Sequence, residues 1–226
     1  MNTFVSIAID GPAGAGKSTM ARMLADRLGY SYVDTGAIYR TIGLFLSICG
    51  ISPKDVDGIT RLIDEAAIQV EYDEQGMQHM LLNGQDVTGE LRTPEMSDYA
   101  SKISALKVVR DVLLDLQRDL ARTRNVVMDG RDIGTVVLPR ANVKIFLTAS
   151  PEVRAKRRLL ELQEKGDKKA SFDKVLQEIR QRDKRDETRA VAPLKCAPDA
   201  VRLDTSELTI EESAAAMEKI VKERLG

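Results

Sequence analysis

The chain has 226 residues, 43% of them hydrophobic, which suits one α/β domain with insertions and excludes wholesale disorder. Lysine and arginine total 34 against 35 acidic residues, so the net charge of −1 excludes a general attraction to nucleic acid or to a membrane surface. With two cysteines that lack metal-ligand spacing, no apolar stretch of membrane-spanning length and no secretory pattern at the N-terminus, a cytoplasmic protein with free thiols is expected.

An apolar strand over residues 4–9 and a glycine-rich turn open the chain. The stretch Gly11–Ser18 fits G-x-x-x-x-G-K-[ST], the loop whose backbone N–H groups surround the phosphates of a nucleoside triphosphate. Lys17 is expected to reach the terminal phosphates, and the Ser18 hydroxyl is expected to ligate Mg²⁺. We assign the ATP contacts of this loop to Gly11, Pro12, Ala13, Gly14, Ala15, Gly16, Lys17, Ser18 and Thr19.

The remaining elements follow from hydrophobic periodicity, caps and turns. Further strands are predicted over residues 30–33, 68–72, 80–82, 125–128, 143–147 and 200–203. Helices are predicted over residues 18–28, 34–49, 52–67, 93–122 with a break near 106, from 150 through a basic segment, 172–188, and from 209 to the C-terminus. An exposed loop is predicted over 166–169.

Alternation of about five core strands with helices predicts a parallel sheet, and ligands of such sheets bind beyond the carboxyl ends of the strands. Polar clusters stand at those positions, in residues 11–18, 34–36, 129–132 and after 148. Residues 68–85, with an Asn-Gly turn at 83–84, instead predict a small antiparallel insert.

Asp129 directly follows a buried strand, where phosphate-binding folds place a carboxylate near Mg²⁺, either directly or through water. An ordinary strand-end aspartate in a turn is the alternative. With Ser18, Asp129 forms the predicted metal site, with Asp129 acting through a bound water.

Arginine side chains form a second pattern. Arg40 lies one turn into a predicted helix, and Arg131 follows a predicted strand. On the charged helix that precedes the last strand, Arg182, Asp186 and Arg189 are spaced i, i+4 and i+7, which stacks them on one face. Their guanidinium groups suit phosphate oxygens, and the aspartate could hold them or accept from a ribose hydroxyl. A solvated helix with ion pairs is the alternative.

Four cations, Arg154, Lys156, Arg157 and Arg158, lie close together before the loop at Gly166. A mobile lid that closes over transferring phosphates would use such a segment. A solvated basic face is the alternative.

The acceptor is predicted to be a phosphate. Hydroxyl acceptors usually require a carboxylate base, whereas a phosphate oxygen is already anionic and needs cations against charge repulsion. The many arginines and the single histidine, His79, which is expected at the surface, therefore favour a nucleoside monophosphate. A kinase for uridylate or a sugar acid, and a non-catalytic nucleotide sensor, are the alternatives that remain open.

These motifs together resemble bacterial cytidylate kinases over nearly the whole chain. The residues that carry the resemblance are Ile9–Thr19, Asp34–Arg40, Arg92-Thr93, Ser101, Val109-Arg110, Asp129–Val137, Lys144–Leu147, Arg182-Asp183 and Arg189–Leu194. The strings Asp129–Val137 and Arg189–Leu194 are the most specific of these. Thr35 stands where many relatives have serine and keeps the hydroxyl, whereas Ser18 stands where some have glycine and gives the loop its usual Mg²⁺-ligating hydroxyl.

The resemblance implies an adenylate-kinase-like α/β P-loop fold around a five-stranded parallel sheet. It implies a core over residues 1–35, 106–152 and 190–226, a monophosphate-binding domain over about 36–105, and a lid over about 153–170. It also implies transfer of a phosphoryl group from ATP, with Mg²⁺, to CMP or dCMP, without nucleic acid or membrane partners. A monomer suffices for this activity.

Site residues are carried over on the matching positions. The cytosine contacts are expected at Ser101, Arg110 and Asp132, and the ribose contacts at Arg182 and Asp186. The monophosphate contacts are expected at Thr35, Tyr39, Arg40, Arg131 and Arg189. The catalytic cations are expected to be Lys17, Arg131, Arg157 and Arg189, with Arg157 covering ATP from the lid. Cytosine chemistry agrees, because its exocyclic amine suits a carboxylate and its ring acceptors suit an arginine.

Overall fold

The computed structural model describes residues 4–164, 166–167 and 169–226. The strands are β1 (Ser6–Asp10), β2 (Ser31–Asp34), β3 (Ile68–Tyr72), β4 (Gln78–Leu82), β5 (Gln85–Asp86), β6 (Val126–Gly130), β7 (Val143–Thr148) and β8 (Val201–Asp204). The helices are α1 (Lys17–Leu28), α2 (Thr35–Ile48), α3 (Val56–Leu62), α4 (Pro94–Ile103), α5 (Lys107–Thr123), α6 (Pro151–Glu164), α7 (Phe172–Thr188) and α8 (Ile210–Leu225).

Five strands form one parallel sheet in the order β2-β6-β1-β7-β8, with the fully buried β1 at its centre. Side chains alternate between the two faces of this sheet, because strand residues point to opposite sides in turn. Ile7 and Ile9 pack with α1 and α8, whereas Ala8 packs with α2 and α5. The predicted P-loop α/β fold with a five-stranded parallel sheet is confirmed.

Strand register brings the polar ends of neighbouring strands together. Asp10 of β1 is paired with Gly130 of β6, and Asp34 of β2 is paired with Asp129 of β6. The loops that follow these strands therefore share one edge of the sheet, which is where open α/β sheets bind ligands.

The small antiparallel sheet has the order β3-β4-β5 and packs against the β2 edge. Its contact with β2 is made by Gln78, whose Oε1 accepts from the Asp34 N–H at 2.7 Å, and by the Tyr72 hydroxyl, which donates to the Tyr32 carbonyl at 3.1 Å. Residues 68–85 thus include the predicted antiparallel strands. The third strand, β5, has only two residues and was too short to predict from the sequence.

Local chain chemistry places most helix ends where the sequence predicts them. Gly29 ends α1 in the left-handed conformation, and the capping box of Thr209 and Glu212 opens α8. The predicted helix over 52–67 is shorter, because the Asp55 side chain caps the backbone at Gly58 and the last turn, residues 63–65, is a 3₁₀ turn. The structure also has a five-residue π-helical turn over Ile133–Val137, which the sequence did not predict.

Other predictions concern composition and domain organisation. Both cysteines are free, as expected, but both are exposed, whereas burial or partial exposure is what the sequence suggests for free thiols. In the part of the chain that the structure describes, no helix is both long and apolar enough to cross a membrane. The division into core, monophosphate-binding domain and lid stays a prediction, and residues 1–3, 165 and 168 within it lie outside the described residues.

Candidate active site

The phosphate-binding loop passes very close to the end of β7. A Cβ atom on Gly11 would lie 1.9 Å from the Leu147 carbonyl oxygen, so only glycine fits at this position. Gly14 and Gly16 have φ angles of 73° and 85°, which turn the backbone into the N-terminus of α1. This geometry directs backbone N–H groups and the positive end of the α1 dipole towards one anion site.

Lys17 is only 5% exposed although it carries a charge. Its Nζ donates to the Pro12 carbonyl at 2.7 Å, which keeps the ammonium group over the loop. Burial, reinforced by the nearby Arg131 guanidinium, lowers the pKa of Lys17 well below its usual value. A phosphate at the loop would stabilise the charged form of this side chain.

Ser18 and Asp129 meet beside the loop, as the predicted metal site requires. The Ser18 hydroxyl donates to Asp129 Oδ2 at 3.0 Å, and the Tyr32 hydroxyl donates to Asp129 Oδ1 at 2.8 Å. Burial, with the nearby Asp34 carboxylate, raises the pKa of Asp129. A cation at this carboxylate would offset the cost of burying its charge.

The donor set fits Mg²⁺ bound together with a nucleotide. Among the described residues there is no group of three or more His, Cys, Asp or Glu side chains that could hold an ion. One hydroxyl ligand and a carboxylate that acts through a bound water are nevertheless enough for Mg²⁺, which keeps several waters and takes phosphate oxygens as its other ligands.

A second cluster of charged side chains joins β6 to α7. Arg131 Nε donates to Asp186 Oδ2 at 2.9 Å. Burial and the neighbouring Arg131 lower the pKa of Arg182 to about 10. Despite its burial, Asp186 has a lowered pKa because Arg131 and Arg182 stabilise its charge.

Asp132 lies buried between two arginines. Arg110 Nη2 donates to Asp132 Oδ2, and Arg189 Nη2 donates to Asp132 Oδ1 at 3.2 Å. Ser104 connects the two arginines, because its carbonyl accepts from Arg110 at 3.1 Å and its hydroxyl oxygen accepts from Arg189 at 3.2 Å. The Tyr39 ring supports Arg110, whose guanidinium carbon lies 5.7 Å from the ring centroid.

Several predicted contact residues carry buried polar atoms without a partner. In the described part of the chain, the buried side-chain atoms that lack a hydrogen bond are Arg40 Nε, Ser101 Oγ, Thr135 Oγ1 and Arg182 Nε. Three of these four residues belong to the predicted CMP contacts. An unsatisfied buried polar atom costs about 1–3 kcal/mol, so a polar ligand at this edge would be stabilised.

Comparison with known proteins identifies the family. A family model described as cytidylate kinase matches residues 7–223. The chain is 52% identical over 208 residues to a cytidylate kinase of Caldicellulosiruptor saccharolyticus, covering 92% of this chain and 91% of that protein. It is 50% identical over 218 residues to a cytidylate kinase of Geobacter sulfurreducens, covering 96% and 93%.

The chain belongs to the cytidylate kinase family. The resemblance predicted from the motifs is thereby confirmed, and so is the prediction of a kinase with a phosphate acceptor. A solved shikimate kinase from Acinetobacter baumannii, in complex with shikimate, is 16% identical with a TM-score of 0.46, covering 99% of this chain and 94% of that one.

Two further predicted monophosphate contacts, Thr35 and Arg40, have partners near the carboxyl ends of β2 and β6. The Thr35 hydroxyl donates to the Asp129 carbonyl at 2.7 Å, and Arg40 Nη2 donates to Asp34 Oδ2 at 2.9 Å. Arg189 departs from the predicted face of α7, because the helix ends at Thr188 and Arg189 has extended backbone angles. Its side chain therefore reaches Asp132.

The basic residues of α6 have different partners and do not line a single surface. Arg154 is buried and paired with Asp183, whereas Arg158 pairs with Glu161 at the surface. Arg157 Nη2 donates to the Thr205 carbonyl at 2.7 Å. The structure therefore places Arg157 beside the segment after β8, and its role over ATP stays a prediction.

Sequence reasoning did not select four residues that contact and hold the candidate site residues, although it placed Asp34 in a polar cluster at a strand end. Asp34 caps α2 and binds Arg40, Tyr32 binds Asp129, and Ser104 joins two arginines. Asp10 accepts from the N–H groups of Ile133 and Gly134, both at 2.7 Å. The helix-cap pattern at Asp34 could have indicated its role. Tyr32 and Asp10 act through partners that are distant in sequence, and Ser104 joins the nearby Arg110 to the distant Arg189.

Proposed function

We propose that this member of the cytidylate kinase family transfers the γ-phosphoryl group of ATP to the 5′-phosphate of CMP and of dCMP. Family membership supports the reaction. The observation that carries the proposal is the buried Asp132 carboxylate between Arg110 and Arg189, at the same sheet edge as the phosphate-binding loop. Asp132 can accept from the cytosine amine, whereas the carbonyl of uracil would repel it.

The donor nucleotide would bind at the loop that follows β1. The backbone N–H groups of the loop and the Lys17 ammonium group would surround the β- and γ-phosphates. Mg²⁺ bound by Ser18 and, through water, by Asp129 would neutralise phosphate oxygens. Lys17 would exchange its bond to the Pro12 carbonyl for bonds to phosphate.

The acceptor phosphate would lie among the arginines that face the phosphate-binding loop. Arg40, Arg131 and Arg189 would offset repulsion between two anionic groups, and Arg182 and Asp186 would hold the ribose. An oxygen of the CMP phosphate forms the new bond to the γ-phosphorus while the bond from that phosphorus to the β,γ-bridging oxygen breaks. The electron pair stays on ADP, and no base is needed because the attacking oxygen is already anionic.

Two further regions of the chain have proposed roles. Arg157 would approach the ATP side from a lid over about 153–170, and the monophosphate-binding domain would comprise about 36–105. We propose a monomer, because all the residues proposed for the reaction lie in one chain. We propose a cytoplasmic location, because free thiols suit a reducing compartment.

Product analysis tests the proposed function. The purified protein, Mg²⁺, ATP and CMP would be followed by ³¹P NMR, and equal amounts of ADP and CDP are expected. Chelation of Mg²⁺ with EDTA should abolish both products. ATP binding without ADP formation would favour a nucleotide sensor, and ADP without CDP would indicate hydrolysis; either result would contradict the proposal.

A further inference from the structure

Arg154 is among the least exposed charged residues of the protein, at 3%. Its Nε donates to the Ala149 carbonyl at 2.8 Å, and its Nη1 donates to the Ala13 carbonyl at 3.0 Å. Nη1 and Nη2 also form a two-pronged pair with Asp183, at 3.0 Å and 2.7 Å. One side chain of α6 therefore contacts the end of β7, the phosphate-binding loop and α7.

Gly14 lies beside the same side chain. A Cβ atom added to Gly14 would lie 3.5 Å from Arg154 Cβ, so little space separates this part of the loop from Arg154. Arg154 therefore holds Ala13 through a hydrogen bond and lies next to Gly14. A shift of Arg154 would break the bond to Ala13.

The partner of Arg154 lies among the acceptor contacts. Asp183 directly follows Arg182 on α7 and precedes Asp186 by one helical turn. Asp186 in turn binds Arg131 at 2.9 Å. The chain of contacts from the loop to Arg154, Asp183 and α7 therefore joins the donor side of the site to the acceptor side.

We propose that Arg154 is a positioning residue that fixes the distance between the phosphate-binding loop and α7, and so aligns the two nucleotides for transfer. This inference rests on the proposed function and adds a residue to it. Buried ion pairs keep a defined geometry because breaking them leaves an uncompensated buried charge. Only the planar guanidinium fork can serve a carboxylate and two carbonyls at once.

A purely structural role is the competing explanation, because Arg154 also joins α6 to α7. The chain offers a matched control for that role. Arg180 of α7 pairs with Glu152 of α6 at 2.7 Å, yet its side chain is 60% exposed and the pair does not reach the loop. Both pairs join the same two helices, but only the Arg154 pair contacts the phosphate-binding loop.

The first experiment compares Arg154→Lys with Arg180→Lys, using kcat and the KM for ATP and for CMP, with circular dichroism to confirm folding. For Arg154→Lys we expect kcat to fall about 100-fold, because small misplacements of reacting groups have effects of that order. Both KM values should change by less than about fivefold, since each nucleotide keeps its own contacts. Arg180→Lys should retain kcat.

A second variant covers the case in which Arg154→Lys does not fold. Asp183→Asn keeps the side-chain volume and leaves Arg154 its bonds to Ala13 and Ala149, so only the link to α7 is weakened. We expect a smaller loss of kcat, about 10-fold, with little change in either KM. A folded Arg154→Lys or Asp183→Asn protein with wild-type kcat would overturn the inference, and so would an equal loss of kcat in Arg180→Lys.

A binding measurement separates this inference from the proposed function. Calorimetry would give the CMP dissociation constant with and without a saturating non-hydrolysable ATP analogue. We expect the analogue to change CMP affinity about two- to fourfold in the unsubstituted protein, and to leave it nearly unchanged in Arg154→Lys. Absent turnover in the unsubstituted protein would refute the proposed function alone, whereas equal coupling in both proteins would refute the role of Arg154.

Discussion

The Ser18 hydroxyl lies 3.0 Å from Asp129 Oδ2, although the two residues are 111 positions apart in the chain. This contact joins the phosphate-binding loop to the end of β6. It places a hydroxyl and a carboxylate side by side at the start of α1, where the positive end of the helix dipole would attract phosphate. The pair is the basis of the proposed Mg²⁺ site.

Removal of the Ser18 hydroxyl should weaken Mg²⁺ binding in the active complex. For Ser18→Ala we expect kcat to fall about 10- to 100-fold and the Mg²⁺ concentration at half-maximal rate to rise, because a metal ligand is lost. Titration of activity with Mg²⁺ is the measurement. Ser18→Thr, which keeps the hydroxyl, should retain most of the activity; an unchanged Mg²⁺ titration in Ser18→Ala would contradict the assignment.

Lys17→Met should abolish nearly all turnover while the fold survives. Loss of a cation that stabilises charge in the transition state reduces kcat by about 10²- to 10³-fold. Methionine fills a similar volume, and the buried ammonium group has no carboxylate partner in hydrogen-bonding distance in the structure of the described residues. Initial rates and a thermal melt provide the test. Near-normal turnover in a folded variant would show that Lys17 does not contact the transferred phosphoryl group.

Asp132→Asn should reduce selectivity for cytosine. The KM for CMP is expected to rise about 10- to 100-fold while the KM for ATP changes less than threefold, because a base contact contributes about 1–3 kcal/mol of discrimination. Rates with CMP and UMP would be compared. Asp119→Asn, which alters an exposed pair with Arg122 on α5, should leave both values unchanged. Equal weakening of CMP and ATP would argue against base reading by Asp132.

Asp10 should make stability depend on pH between about 4 and 6. Burial raises the pKa of Asp10 from 3.8 to about 6, so the folded state holds its proton more tightly than the unfolded state. The contribution of protonated Asp10 to the free energy of unfolding is therefore complete below about pH 4 and is lost as the pH rises through about 6. The shift corresponds to about 3 kcal/mol.

Urea unfolding of the wild type and of Asp10→Asn at several pH values tests this effect. The stability of the wild type relative to the variant should fall by about 3 kcal/mol from pH 4 to pH 7. A difference that is independent of pH would mean that Asp10 titrates alike in both states.

Most of the fold could be predicted because its determinants are local. The apolar run of β1, the loop Gly11–Ser18 and the capping box before α8 are each fixed by neighbouring residues. The break before α5 was also visible, and the chain turns at residues 104–106. By contrast, the π-helical turn at Ile133–Val137 depends on Asp10, which lies 123 positions away from Ile133.

The same distinction applies to the site. The pattern of residue types selects Lys17, Ser18 and Asp129 as candidates, because their expected chemistry follows from a motif or a strand end, and the structure brings Ser18 and Asp129 together. It could not separate Arg154 from its neighbours in the basic segment, since burial against the Ala13 carbonyl and Asp183 arises only when α6 and α7 pack together. Sequence spacing likewise does not show that Arg189 turns away from α7.

We propose that this site recognises cytosine and phosphorylates its nucleoside monophosphate. The most direct measurement is ADP formation from Mg-ATP with CMP, dCMP, UMP, AMP and GMP offered separately at equal concentration. We expect CMP and dCMP to be clearly the best acceptors. Equal rates with UMP would contradict cytosine reading by Ser101, Arg110 and Asp132, and no stimulation by any monophosphate would contradict the kinase itself.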